Sequence, residues 1–489
     1  MSPTPDAGLP ARALAGRAVR GSMWAAAGAY SSFLVNFVAV AVLAHFVPPA
    51  GFGSYALALA YNQILFALGL FPFGQAVVQS PSTPGMAETA MRMSLALRGG
   101  LLLLSFPAAL AVRHFNGEVV ALLFLGLAFS EFLDGVRGSM SAVLERDLRY
   151  RGLASGTVLA AVTAAVGSVA AARLGAGAFA LLLRDLLIEV VILGVYFTMS
   201  RRWGLPAARA FDRSSARRVW AFARSLFWIR SLEQVLARSD RVVLGNLIGL
   251  QALGYFQQAK YLAMLPQSAL APASMQVATA TYCKVRDDGP RLGLAFDLVQ
   301  YVVVRVVPLT GIALALFPEE ILHAMYGARW LPAAPALRVL ALYATLGPIL
   351  ESHRSFAVAM EQWRALRWSV VAQGTVQVAA LVLLAPRFGI VGAAWGTCLA
   401  PIAGLTVLGV LVIRRFVPGR HGTLGPVLAA TAVALAAGIG LGRWVGDGGW
   451  AWLALKLAGA AAVYAMVLVA LERRSLLDHL VYLRARAMG

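Results

Sequence analysis

Apolar residues in this chain come in long unbroken runs, not in the alternating pattern of half-buried strands or the narrow stripe of amphipathic helices. Fourteen runs can be followed, near 22–47, 54–79, 95–112, 118–136, 152–172, 175–199, 222–248, 253–282, 295–317, 335–352, 366–385, 388–413, 424–445 and 449–471. Roughly 20 residues cross the hydrocarbon of a bilayer, and these runs cluster around that length. Open sheet edges cannot face lipid, and the runs are too long and continuous for barrel strands, so they predict helices. The expected fold class is all-α: a polytopic membrane protein of about 14 transmembrane helices, with two six-helix lobes related by a parallel repeat and two further C-terminal helices.

Composition agrees with this and removes the alternatives. Hydrophobic residues make up 60% of the 489 and charged residues 13%, against about 25% charge in a soluble domain. Too little polar surface exists to coat a soluble body. The net charge of +20 would suggest nucleic acid in a soluble protein. Here the basic residues lie in short segments between apolar runs, so they describe topology and no nucleic-acid partner is expected. With the N-terminus placed in the cytoplasm, 28 Lys and Arg fall in cytoplasmic segments. Only Arg113, Arg173, Arg329, Arg387 and Arg443 fall on the other side, and the remaining nine lie inside runs. Such a bias predicts cytoplasmic N- and C-termini; the bacterial inner membrane as the location is what the resemblance given below implies. The run from Gly21 to Val47 is long enough to span and stay, and no cleavable leader precedes it. Cys283 and Cys398 fall in or beside different runs, so no disulfide framework is implied.

The expected division is a cytoplasmic N-terminus (1–21), an N-lobe (22–199), a basic cytoplasmic linker (200–221), a C-lobe (222–413), helices thirteen and fourteen (424–471) and a cytoplasmic tail (472–489). A weak repeat supports it. VLAHFVPPAGFGSYALALAY (42–61) aligns with VLGNLIGLQALGYFQQAKYL (243–262) at a constant offset of 201. The identities are Val42/Val243, Leu43/Leu244, Gly53/Gly254 and Ala58/Ala259. Both stretches join the first two helices of a half, as in transporters built from two like-oriented bundles.

Familiar enzyme signatures are missing. Gly175-Ala-Gly-Ala-Phe-Ala180 matches a dinucleotide pattern on paper, but no strand precedes it. Gly245…Gly249 and Gly392…Gly396 have the spacing of close helix packing. His45, His114, His323, His353, His421 and His479 share no metal-ligand spacing. No cofactor and no metal are expected.

The informative feature is charge within the runs. In run seven, FARSLFWIRSLEQVLARSDRVVLGNLIG, residues Arg230, Glu233, Gln234, Arg238 and Arg241 share an arc of about 140°, with Asp240 at its edge. Run six adds Arg184, Asp185 and Glu189, and run eight adds Gln257, Gln258 and Lys260. Run one offers Ser31, Ser32 and Asn36, and run two Asn62 and Gln63. Ionised groups in hydrocarbon cost several kcal/mol each, so this set must face protein or water. Ion pairs such as Arg230–Glu233 and Arg184–Asp185 are one reading. A hydrated cationic cavity for an anionic ligand such as a phosphate or diphosphate is the other. The candidate ligand set is Arg230, Arg238, Arg241, Arg184 and Lys260, with Glu233, Gln234, Asp240, Asp185, Glu189, Asn36 and Gln63 as polar or ion-pair lining.

Three stretches carry a family resemblance: that from Gly21 to Tyr61, SDRVVLGNLIGLQALGYFQQAKYLAMLP from Ser239, and MYGARWLPAAPALRVLALYA from Met325. With FGIVGAAWGT (388–397) they resemble, in order and spacing, bacterial polysaccharide-biosynthesis flippases of the multidrug, oligosaccharidyl-lipid and polysaccharide exporter superfamily. His45 and Pro48 stand where an Arg and a Gly are common in that family. The resemblance implies twelve to fourteen helices in two lobes around a cationic cavity, opening alternately to each side. It implies a lipid-linked oligosaccharide substrate carried on undecaprenyl diphosphate, membrane lipids as surroundings, and a polysaccharide polymerase and chain-length regulator as partners. A cation-coupled multidrug exporter and a lipid-linked peptidoglycan-precursor flippase are the alternatives. The former would be expected to carry an acid in run one, and this run has none. A membrane-embedded transferase would need an acid/base set that the sequence does not offer.

Overall fold

A computed structural model describes residues 11–69, 71, 86–146, 150–203, 212–417, 424–444 and 449–487. Among these residues every regular element is helical. The helices are α1 (Ala11–Phe46), α2 (Pro49–Ala67), α3 (Met86–Asn116), α4 (Glu118–Arg146), α5 (Tyr150–Arg173), α6 (Phe179–Trp203), α7 (Arg213–Leu247), α8 (Leu250–Lys284), α9 (Gly289–Val306), α10 (Pro308–Leu316), α11 (Pro318–Tyr326), α12 (Ala334–Ala359), α13 (Trp363–Leu408), α14 (Leu424–Trp444) and α15 (Gly449–Ala487). A 3₁₀ segment, Ala328–Ala333, joins α11 to α12. Each of the fourteen expected runs falls mainly on helix over its described residues, run six beginning in the 174–178 turn. Run nine is split between α9 and α10 at Pro308, which starts the second piece. Runs eleven and twelve form the two arms of α13, broken at Gly389, whose φ of 60° is open to glycine at little cost. The arms fold back closely, since a Cβ on Gly392 would lie 2.2 Å from the Leu384 carbonyl oxygen.

Eight helical spans among the described residues are long and apolar enough to cross a membrane. Helices α2, α6, α7, α8 and α14 are not in that set; in α6, α7 and α8 charges and glutamines interrupt the apolar character. Those are the helices in which polar chemistry was expected.

By contact the chain divides into Met1–Gly254 and Tyr255–Gly489. In the first unit α1 packs on α5, α5 on α6, α3 on α4, and α2 and α6 on α4. Helix α7 packs on α2 and α3, which is why the contact boundary falls beyond the expected linker. Most of that linker, 204–211, lies outside the described residues. Asp212 caps α7, its carboxylate accepting from the Ser214 and Ser215 backbone N–H groups at 3.0 and 2.9 Å. Those bonds hold its carboxyl well below the usual carboxylate range, so the cap persists until strongly acid pH.

The two glycines that the sequence alignment pairs, Gly53 and Gly254, lie at one close crossing. A Cβ on Gly53 would lie 1.7 Å from the carbonyl oxygen of Leu250, and one on Gly254 would lie 1.9 Å from that of Pro49. Pro49 and Leu250 are themselves related by the offset of 201, so the contact is reciprocal.

In the second unit α12 packs on α10 and α13, and the α14–α15 pair packs on α10. An aromatic cluster of Tyr282, Phe296 and Phe356 fills one core. Two ion pairs fasten α15: Arg305 Nε to Glu472 Oε2 at 2.6 Å, and Lys456 to Glu320 at 3.2 Å. Glu472 is where α15 breaks from helical geometry, with φ −115° and ψ 15°. The Tyr464 hydroxyl donates to the Arg305 carbonyl at 2.9 Å.

Candidate functional site

The first unit encloses a connected set of charges drawn from five helices. On α4 the spacing Glu131-x-x-Asp134-x-x-Arg137 puts three ionisable groups on one face. On α6, Asp185 and Glu189 stand one turn apart. Arg98 of α3 donates to Asp134 at 2.9 Å and reaches Glu131 at 3.4 Å. Gly135 leaves room for that crossing, since a Cβ there would meet Arg98 Cδ at 2.2 Å. Arg137 donates to Glu189 at 2.8 Å and also pairs with Asp134. At the α2 end, Tyr55 donates its hydroxyl hydrogen to Asp185, and Arg184 Nη2 pairs with the same carboxylate at 3.0 Å.

Helix α7 brings arginines to this set. Arg238 lies within electrostatic reach of Arg241, Asp240 and Glu131. The charge of Arg241 also acts at the Tyr55 hydroxyl, beside Asp185 and Arg184. Asp240 is fully buried, and its carboxylate accepts from the Arg241 backbone N–H at 2.9 Å. Arg98, Arg137 and Arg184 all have carboxylate partners. The Nε groups of Arg238 and Arg241 are buried with no hydrogen-bond acceptor among the described residues. A second polar contact joins the same helices: Tyr61 donates to Asn116 at 3.1 Å, Asn116 to Asn246 at 2.9 Å, and Asn246 back to Tyr61 at 2.7 Å.

The expected residues thus separate into groups. Arg184, Asp185, Glu189, Arg238, Asp240 and Arg241 come together. Glu233 and Gln234 sit half-buried on the same helix. Gln63 on α2 holds a buried, unpartnered Oε1. Asn36 instead satisfies itself within α1, donating to the Ser32 carbonyl at 2.9 Å. Lys260 belongs to the second unit, its ammonium 6.0 Å from the Phe256 ring centroid. Arg230 lies on α7, but its side chain is outside the described residues.

Sequence reasoning missed Tyr55, Arg98, Glu131, Asp134 and Arg137. Two of these had a legible signal: Glu131 and Asp134 are acids inside run four, where any ionised group calls for a partner. Arg98 and Arg137 were counted with the loop charges, yet their side chains are only 17% and 29% exposed. Among the described residues no group of His, Cys, Asp and Glu could hold a metal ion. Gly175 and Gly177, at φ 87° and 54°, form the α5–α6 turn and no nucleotide loop. Gly249, with φ 104°, ends α7, while Gly245 packs against Leu57.

Removing Arg137 leaves Asp134 and Glu189 facing each other's charge in a poorly solvated interior. Arg137→Ala is expected to cost about 2–3 kcal/mol, less than a fully buried pair because water still reaches the site. Thermal unfolding in detergent measures this. Adding Glu189→Gln and Asp134→Asn should restore much of the loss, and no restoration would show that packing, not charge, is what Arg137 supplies.

Comparison with known proteins agrees with this architecture. A family model described as polysaccharide biosynthesis protein matches residues 42–335. The succinoglycan biosynthesis transport protein ExoT of Rhizobium meliloti (strain 1021) is 26% identical over 470 residues, covering 94% of this chain and 93% of the relative. The teichuronic acid biosynthesis protein TuaB of Bacillus subtilis (strain 168) is 22% identical over 311 residues, 61% of this chain and 62% of the relative. Among solved structures, the lipid II flippase MurJ in an inward closed conformation superimposes with a TM-score of 0.71 at 13% identity, covering 91% of this chain and 98% of that one. An inward-facing multidrug resistance MATE family transporter gives 0.58 at 16% identity, covering 78% and 94%. These likenesses establish the fold.

Proposed function

Because this chain belongs to the polysaccharide biosynthesis protein family, we propose that it is a flippase for lipid-linked oligosaccharides. The substrate is an undecaprenyl-diphosphate-linked repeat unit, moved across the inner membrane for O-antigen, capsule or exopolysaccharide assembly. A sugar headgroup cannot cross hydrocarbon unaided, whereas its lipid tail can remain there. Two six-helix lobes, with α14 and α15 outside the repeat, alternately open a polar route for the head. The protein performs no bond chemistry and needs no cofactor.

The observation that carries this reading is the pair Arg238 and Arg241, each with a buried, unpartnered Nε, beside a network in which the other arginines are paired. A guanidinium presents a planar fork of donors that matches phosphate oxygens two at a time. Substrate diphosphate would supply the missing acceptors. The carboxylates around it hold the arginines in the lipid-embedded bundle when the site is empty.

The experiment is translocation of a fluorescent undecaprenyl-diphosphate oligosaccharide by purified protein in liposomes. Protection of the headgroup from an added glycosidase reports its side. Equal or better transport of a peptidoglycan precursor would favour that second substrate, whose flippase shares the fold. Export of a cationic dye with no lipid transport would overturn the proposal.

Topology is checked separately. Reporter fusions after Arg218 and after Arg486 are expected to report cytoplasm, and one near Gly327 the periplasm, as the 28:5 charge split requires. A periplasmic signal after Arg218 would remove the fourteen-span arrangement.

A further inference from the structure

Helices α1 and α5 pack on one another, tightly toward one end, with an open groove along them toward the other. Gly21 sits under the Tyr150 ring, where a Cβ would come within 2.6 Å, and Gly28 meets the Ala154 Cβ at 2.7 Å. Beyond these contacts the two helices line an open cleft of about 860 Å³, in which branched side chains alternate with alanines. Leu34, Val38 and Val42 line one wall, Val166 and Val169 the other, and Arg173 stands at the mouth. Leu34, Val38 and Val166 are 61%, 52% and 67% exposed, so among the described residues of the unit this surface is left open. Arg173 is held over the Phe46 ring at 5.4 Å, and among the described residues no carboxylate pairs with it.

Three features identify the occupant. The walls are apolar, so it is a hydrocarbon chain. The mouth carries one unneutralised guanidinium, so the chain bears an anionic head. From Leu34 to Val42 the cleft runs about 12 Å at 1.5 Å per residue, close to the roughly 15 Å depth of one leaflet's hydrocarbon. A polyprenyl tail would far overrun it. Charge distribution adds a further reason: Arg173 is one of five basic residues on the side that otherwise avoids them.

We infer that the α1–α5 cleft is a binding site for an anionic phospholipid of the leaflet at the Arg173 end, with its acyl chains between the valine and leucine walls and its phosphate on Arg173. Under the topology proposed above, that is the extracytoplasmic leaflet. The site is distinct from the α7 arginines, and only the naming of the leaflet rests on the transport reading.

The test uses full-length protein in nanodiscs of mixed phosphatidylglycerol and phosphatidylethanolamine, with retained lipid counted by native mass spectrometry. Wild-type protein should retain phosphatidylglycerol preferentially. Arg173→Gln should lower that preference about fivefold, the effect of one basic residue near an anionic headgroup. Val38→Trp with Val166→Trp should fill the cleft and reduce retention of both lipids. Arg113→Gln, at the end of α3 and already paired with Glu118 at 3.7 Å, should change neither. Should the tryptophan variant fail to fold, Arg173→Gln still decides, because its side chain is at an exposed rim. An unchanged preference in Arg173→Gln, or no preference in the wild type, overturns the inference. So does displacement of phosphatidylglycerol by undecaprenyl phosphate with Arg173 intact, which would assign the cleft to the substrate. Transport is not read, so the flippase proposal can fail while this site stands.

Discussion

Arg238→Ala together with Arg241→Ala is expected to abolish surface-polysaccharide complementation in a flippase-null strain while the protein stays folded in the membrane. The two Nε groups lack acceptors among the described residues; because Asp240 and Glu131 lose a nearby positive charge, the amount of protein in the membrane is measured alongside complementation. Loss of two charge-assisted phosphate contacts, at about 1.5–3 kcal/mol each, corresponds to a fall of a hundredfold or more in transport. Lysine at both positions should restore part of the activity, because charge survives but the two-pronged geometry does not. The contrast with Arg137 is the control: Arg137→Ala should lower thermal stability first and activity in proportion to protein level. Full complementation by the double alanine variant would remove the cationic site from α7.

The second large effect is expected at the reciprocal glycines. A methyl group at Gly53 or Gly254 meets a backbone carbonyl oxygen at 1.7 or 1.9 Å, and backbone cannot swing aside as a side-chain end can. Overpacking costs about 1–3 kcal/mol where neighbours yield, and more where they do not. Gly53→Ala and Gly254→Ala should each cut the amount of folded protein several-fold, measured as monodisperse material after detergent extraction. Because the two contacts are partners in one crossing, the double variant should lose less than the sum of the singles. Additive losses would mean that the glycines act independently and that the repeat has no structural partner there.

How much of this was legible beforehand depends on what kind of information each feature needs. The helical nature of the runs, and the break between runs eleven and twelve near Gly389, were readable because they are local: lipid forbids unpaired backbone, and glycine acts where it stands, whereas run nine was expected as one span and Pro308 divides it. Arg184–Asp185 was readable as a pair because its members are neighbours in the chain. Arg98–Asp134 and Arg137–Glu189 were not, being joined across 36 and 52 residues. Helix phase put Arg238 and Arg241 on one arc with Glu233, but it could not say which helix that arc would meet. Asn36 and Lys260 show the same limit in reverse: polar residues in apolar runs, one satisfied by its own helix and one placed in the other unit.

The sequence by itself determined the solvent, the secondary structure and the family, since each is fixed by composition, run length or ordered motifs that survive without coordinates. Tertiary structure decided which charges neutralise one another and which are left over. Run six and run four had to be laid side by side before Glu189 could pair with Arg137, and α7 had to pack on α2 and α3 before Arg238 and Arg241 were left with an unpartnered Nε among the described residues. The physical reason is range. Hydrophobic burial and backbone hydrogen bonding act over a turn or a run of residues, so a linear pattern records them, whereas the partner of a buried ion is set by where distant segments meet in space.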